Sequence, residues 1–133
     1  MAKSLNTAVL DEALNYVKNN ATKLVLCSGE PATYNAATTN FGSGGNRLGD
    51  VALAAADMTL SDGAGAGRKA TVAEKIITVD VAATDPDKAD HLAVVDDTGS
   101  ALLLVNIPDI PREVLAGDNI EVATFDLELS EVT

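Results

Sequence analysis

The chain has 133 residues, a formal net charge of −11 and a hydrophobic content of 47%. This length fits one domain, 1–133, and the hydrophobic content is too high for a chain that is disordered throughout. The nine basic residues are scattered along the sequence. We therefore expect no nucleic-acid partner and no anionic membrane partner, because both need clustered Lys and Arg.

Aromatic residues make up only 3% of the chain, and there is no tryptophan. The core is therefore expected to consist of Val, Leu, Ile and Ala. Small side chains bury little area each, and burial stabilises by roughly 25 cal/mol per Å². We expect a lone monomer to be only marginally stable, so that association with further copies or with a partner contributes to stability.

Cysteine content and apolar runs limit the class of protein further. Cys27 is the only cysteine, which excludes an internal disulfide and a cysteine-rich zinc site. Residues 1–10 lack the long apolar segment of a signal peptide, and no run approaches the ~20 apolar residues of a membrane span. Synthesis in a cytoplasm is the resulting expectation.

Residues 6–20 are predicted to form an N-terminal helix. Asn6 or Thr7 can cap it, and the acidic residues of its early turns favour the helix dipole. Apolar residues recur at spacings of three and four, which places them in one stripe. The stripe consists of Val9, Leu10, Ala13, Leu14 and Val17. We interpret it as a surface for oligomer contacts or for docking.

The segments after the helix are rich in β-branched and aliphatic residues and are separated by turn residues. In chain order they are a strand at 22–28, a long loop at 29–49, two short strands or one bent strand within 48–60, a flexible loop at 61–68, strands at 68–73 and 75–81, a turn at 85–87, a hairpin at 91–107 with its turn at 96–100, and a strand at 120–129. The β domain would span 22–133. This pattern predicts a mainly β fold, a sandwich or open barrel of seven or eight short strands with one N-terminal helix.

His91 and Cys27 are the only imidazole and the only thiol in the chain. His91 could act as a general base near Asp96 or Asp97, but it opens a predicted strand, and a structural histidine is the simpler interpretation. Cys27 ends an apolar strand and is expected to be a buried small hydrophobe. No nucleophile–base motif surrounds either residue, so we do not expect an enzyme. A small hydrolase is kept as an alternative.

Two further motifs fail on their spacing. Gly63–Lys69 resembles a phosphate-binding loop, but Ala70 follows the lysine and a strand is predicted where the motif requires a helix. Four aspartates could form a loose calcium site, but they lack the glycine and glutamate of an EF-hand loop. They are Asp85, Asp87, Asp90 and Asp96. We expect a solvated turn there, and no cofactor.

Several segments together carry a family resemblance. They are 9–20, 22–31, 48–53, 61–63, 67–69, 91–96 and 115–119. In this order they resemble small virion proteins of tailed bacteriophages. The resemblance implies a particle component in the virion, without catalytic residues, that binds the major capsid protein or other virion proteins.

Within that family we expect a capsid decoration protein that forms a homo-oligomer, with three copies as the expected number. A tail or fibre adhesin that binds a host surface glycan is the alternative function among virion proteins. The head or tail location does not follow from the sequence.

Overall fold

The computed structural model describes residues 7–63, 67–106 and 111–129. These residues are mainly β, with 47% strand and 18% helix, and their strands form two antiparallel sheets. This confirms the predicted class with its N-terminal helix, although the described residues form nine strands instead of seven or eight. The elements are α1 Thr7–Asn20, β1 Lys23–Cys27, α2 Tyr34–Thr38, β2 Arg47–Ala52, a 3-10 helix Ala55–Asp57, β3 Met58–Asp62, β4 Arg68–Val72, β5 Lys75–Val79, β6 His91–Asp96, β7 Ala101–Asn106, β8 Asn119–Val122 and β9 Phe125–Leu129.

The chain contacts divide into two compact units. The first unit comprises Met1–Asn20, Ala54–Glu74 and Ala123–Thr133, and the second comprises Ala21–Leu53 and Lys75–Val122. The first contains α1 and a three-stranded sheet of order β3-β4-β9. The second contains α2 and a six-stranded sheet of order β7-β6-β1-β2-β5-β8. The organisation of 1–133 as one domain stays a prediction.

The three-stranded sheet of the first unit has one apolar face. The registers place Met58, Val72 and Phe125 in one row across the sheet, and apolar residues also fill the row of Leu60. The neighbouring row contains Thr71 and the exposed Asp126, with the Thr71 hydroxyl donating to Asp126 at 2.7 Å. Because opposite residues in an antiparallel ladder share a face, the sheet has one apolar side and one solvated side.

Helix α1 covers the apolar side of this sheet. It packs against β4 and also contacts β3 and the 3-10 helix. Leu10 and Leu14 are 3% and 1% exposed. Arg68, which lies in the apolar-side register of β4, donates through Nε to Asp11 of the helix at 2.7 Å. The helix is therefore held by two buried leucines and by one ion pair at its edge.

Strands β1 and β6 form the centre of the second unit. Four successive residues of β1, Leu24–Cys27, are buried, and so are Leu92–Asp96 of β6. Since successive side chains of a strand point to opposite faces, both faces of the sheet are covered at these strands. On one face Ala37 of α2 packs into a cluster with Val25 and Cys27.

The prediction of a long loop at 29–49 is wrong, because this segment contains α2 and the start of β2. The Thr33 hydroxyl accepts a hydrogen bond from the Ala36 N–H at 3.1 Å and caps the helix. Five residues make little more than one turn, so the helical spacing of apolar residues that marks α1 has no room to appear. The capping threonine was the available signal.

The single strand predicted at 120–129 is also wrong. It consists of β8 and β9, which belong to different sheets and are separated by Ala123 and Thr124. Both β8 and β9 have sequences typical of strands, so amino-acid composition alone did not indicate that one strand ends and another begins within 120–129.

The hairpin predicted from the turn at 96–100 is confirmed, since β6 and β7 pair antiparallel. The Asp96 carboxylate accepts hydrogen bonds from the backbone N–H groups of Thr98 and Gly99 at 2.9 and 3.1 Å. Asn6, proposed as a helix cap, and Ile107, at the end of the predicted hairpin, lie outside the described residues.

We expect Leu14→Asp to destabilise the protein by about 4 kcal/mol, because it replaces a buried leucine with an unpaired buried carboxylate. Ala13→Asp is the matched control, since Ala13 is the exposed neighbour on the same helix and receives the same carboxylate. Urea unfolding followed by circular dichroism measures both. Equal losses of stability in the two variants would contradict the packing of α1 through Leu14.

Candidate functional site

The fold brings the only thiol and the only imidazole of the sequence together. Cys27 at the end of β1 is the register partner of His91 at the start of β6. One carboxylate oxygen of Asp90 lies 2.8 Å from His91 Nδ1 and accepts the Gly29 N–H at 2.7 Å. We call Cys27, Gly29, Asp90 and His91 the β1-end cluster. The sequence analysis placed His91 near Asp96 or Asp97, but its carboxylate partner is Asp90.

The protonation of the β1-end cluster does not favour nucleophilic chemistry. Burial raises the pKa of the Cys27 thiol to about 12, and the nearby Asp90 carboxylate adds to this increase. The thiol is therefore protonated at neutral pH and lacks the thiolate that a nucleophile requires. Cys27 is fully buried, as the sequence analysis expected.

Asp90 has a structural role in the same cluster. Burial by itself would raise the pKa of its carboxyl, but the hydrogen bonds from His91 and Gly29 together lower it. Its backbone N–H also donates to the Cys27 carbonyl at 3.1 Å. Asp90 and His91 thus fix the chain where it leaves β1.

A second polar network, which the sequence analysis missed, joins α2 to the β6–β7 turn. The Tyr34 hydroxyl donates to Asp97 at 2.8 Å, and Lys23 Nζ lies 3.3 Å from the other oxygen of that carboxylate. Burial acts to raise the pKa of Asp97, but hydrogen bonds, first among them that from Tyr34, lower it. Tyr34 lies in the segment predicted as a loop. An aromatic residue among small polar residues was the one sequence signal that could have indicated a packed position there.

Arg47 forms a third network that the sequence did not reveal. Its guanidinium donates to Asp50 at 2.8 Å, to Asp80 at 2.7 Å and to Asn40 at 2.9 Å. The arginine therefore links the loop before β2 to the chain after β5. Two of the three acceptors are carboxylates, so the positive charge of the guanidinium is compensated within the fold.

Three of the four aspartates of the possible calcium site have separate partners, and Asp87 is exposed on the turn. Asp85 pairs with Lys88 at 3.2 Å, Asp90 belongs to the β1-end cluster, and Asp96 accepts from its own turn. Among the described residues, no three His, Cys, Asp or Glu side chains form a group that could hold a metal ion.

The glycine-rich segment is not followed by the helix that a phosphate-binding motif requires. It connects β3 to β4, and the Gly63 N–H donates to the Gly67 carbonyl at 2.9 Å. A strand follows it where the motif requires the N-terminus of a helix. Residues 64–66 lie outside the described part of the chain.

The five residues predicted as an interface on α1 divide between two sides of the helix. Leu10 and Leu14 are buried within the chain, and Val17 is half-buried. Val9 is 55% exposed, and Ala13 is also exposed. Positions 9, 13 and 16 share one helix face, and Tyr16, which the sequence analysis omitted, is 59% exposed. We call Val9, Ala13 and Tyr16 the outer stripe.

We expect Asp97→Asn to lower stability at neutral pH and to flatten its dependence on pH below about 4. The Asp97 pKa is lowered from 3.8 in the folded protein, so its contribution is complete above that value and is lost as pH falls through the folded pKa. Urea unfolding at several pH values between ~7 and ~3 measures the effect. Asp87→Asn on the exposed turn is the control, and the same pH profile in both variants would contradict the role of Asp97.

Comparison with protein-family models, with curated proteins and with solved structures finds no match to this chain. Within the described residues, no helix is long and apolar enough to cross a membrane. Function must therefore be inferred from the chain's own residues. Among the described residues these include the three internal polar networks and the exposed outer stripe of α1.

Proposed function

We propose that this chain is a structural protein of a tailed-bacteriophage virion, and specifically a decoration protein that binds the capsid surface. The outer stripe of α1 is the observation that carries the proposal, because it is an exposed apolar surface on a firmly packed element. The sequence resemblance supplies the class of particle.

The attachment of α1 supports a binding role for its outer stripe. Leu10, Leu14 and the Asp11–Arg68 ion pair hold the opposite side of the helix. Tyr16 and Val9 are therefore presented on a helix that is already ordered, which reduces the entropy lost on binding. Tyrosine is also enriched among the residues that contribute most to protein interfaces, because it combines a large apolar ring with a polar end.

The charge of the chain suits a surface protein of a symmetric particle. A net charge of −11 keeps free copies soluble and limits nonspecific association. Attachment would then depend on short-range apolar contacts of modest strength. If an oligomer presents several outer stripes to a repeating capsid lattice, multivalency turns weak single contacts into stable attachment.

The polar networks support a protein without catalytic activity. The Cys27 thiol is buried and protonated, and His91 is hydrogen-bonded to a carboxylate that also fixes the backbone of Gly29. Tyr34 and Arg47 likewise bond to acceptors within the chain. We propose that these groups stabilise the fold and that function resides in the surface.

We expect Tyr16→Asp to weaken binding to capsids by at least ~10-fold, because it places a charge in the apolar contact. The assay is cosedimentation with tailless capsids from which the wild-type protein has been stripped. Asn19→Asp is the matched control, since Asn19 is exposed on the same helix, lies outside the outer stripe and receives the same carboxylate. Circular dichroism establishes that each variant is folded.

His91→Ala, if folded, is expected to bind capsids like the wild type.

Full binding of Tyr16→Asp to capsids would contradict the role of the outer stripe. A wild-type protein that ignores tailless capsids but binds purified tails or a host glycan would contradict the decoration role and favour the adhesin.

A further inference from the structure

Helix α1 carries two neighbouring acidic residues with different surroundings. Asp11 is half-buried and accepts a hydrogen bond from Arg68 Nε at 2.7 Å. Glu12 is exposed, and no cation in the described part of the chain pairs with it. Because residues four apart lie one above the other on a helix, Glu12 is the neighbour of Tyr16. A carboxylate without an internal counter-charge therefore lies beside the outer stripe.

The other charges of the chain do not supply a counter-charge for Glu12. Acidic residues number 20 against nine Lys and Arg. Lys18 is the basic residue in the last turn of α1, but it lies six positions from Glu12, whereas helical neighbours are three or four apart. Most of the described Lys and Arg side chains already pair with aspartates of the same chain. These are Lys23, Arg47, Arg68, Lys69 and Lys88.

Binding through the outer stripe would change the surroundings of Glu12. When Val9 and Tyr16 enter an apolar contact, water is excluded from the helix face around them. The nearby carboxylate then loses part of its hydration, which is unfavourable unless an opposite charge replaces the water. The net charge of −11 acts in the same direction, because at long range it repels acidic surfaces and attracts basic ones. Both effects select a basic partner surface over an acidic or a wholly apolar one.

We propose that the outer stripe binds an apolar groove with a basic side chain at its rim, and that this side chain pairs with Glu12 when Tyr16 enters the groove. The pairing rests on the proposed function, since the groove belongs to the capsid surface. Arginine fits the rim better than lysine, because its planar guanidinium can bind a carboxylate through two hydrogen bonds and stack on a tyrosine ring. The apolar contact holds the helix, and the charge pair fixes its orientation in the groove.

Charge reversal at Glu12 tests the pairing, in cosedimentation with stripped tailless capsids. Glu12→Lys should weaken binding by at least ~10-fold, because attraction at the rim becomes repulsion. Glu12→Gln keeps the shape of the side chain, and it should weaken binding less and leave it less sensitive to NaCl than wild-type binding. Glu121→Lys is the matched control, since Glu121 is exposed on β8 of the second unit and its reversal changes the net charge equally. Its binding should stay within about twofold of the wild type.

Circular dichroism establishes that each variant is folded, and Glu12→Gln provides the measurement if Glu12→Lys does not fold. Three results would overturn the pairing while leaving capsid binding by the outer stripe in place: wild-type binding of folded Glu12→Lys, equal losses in Glu12→Lys and Glu121→Lys, or the same salt dependence in wild type and Glu12→Gln. A wild-type protein that does not bind tailless capsids would overturn the proposed function and the pairing together.

Discussion

The pairing of β1 with β6 on one side and β2 on the other organises the second unit. Leu24–Cys27 are buried in succession, so β1 contributes apolar side chains to both faces of the sheet. Three polar networks of the second unit lie around this arrangement. The β1-end cluster lies at the end of β1. The hydrogen bond of Tyr34 to Asp97 and the ion pair of Asp97 with Lys23 connect α2 to the start of β1. Arg47 is the first residue of β2, which pairs with β1. Burying β1 thus places each network.

The residues that bear reactive chemistry take part in packing and internal hydrogen bonds in this structure. A thiol and an imidazole on adjacent strands, with a carboxylate beside them, have the composition of a catalytic triad. Burial nevertheless keeps the Cys27 thiol protonated, and Asp90 accepts from both His91 and the Gly29 backbone. Composition and proximity alone are therefore poor evidence of catalysis, whereas the protonation state and the hydrogen-bond partners are informative.

The surface combines acidity with two apolar features. Acidic residues lie on three of the four described sheet edges, where they oppose uncontrolled pairing of strands. The outer stripe of α1 and the uncharged edge of β7 are the exceptions. We propose that the few uncharged regions of this strongly charged surface serve specific association, because repulsion weakens most other encounters between copies.

The sequence by itself determined the mainly β class, the position of α1 and the hairpin of β6 and β7, since helical spacing, β-rich runs and turn residues are local signals. It also indicated that Cys27 is buried. Only the tertiary structure decided that Asp90 is the partner of His91, that 120–129 belongs to two sheets, and that Leu10 and Leu14 pack within the chain while Tyr16 is exposed. The physical reason is that side-chain spacing defines an apolar helix face but not what covers it. Hydrogen bonds and burial between residues distant in sequence depend on strand order and register, which no local pattern encodes.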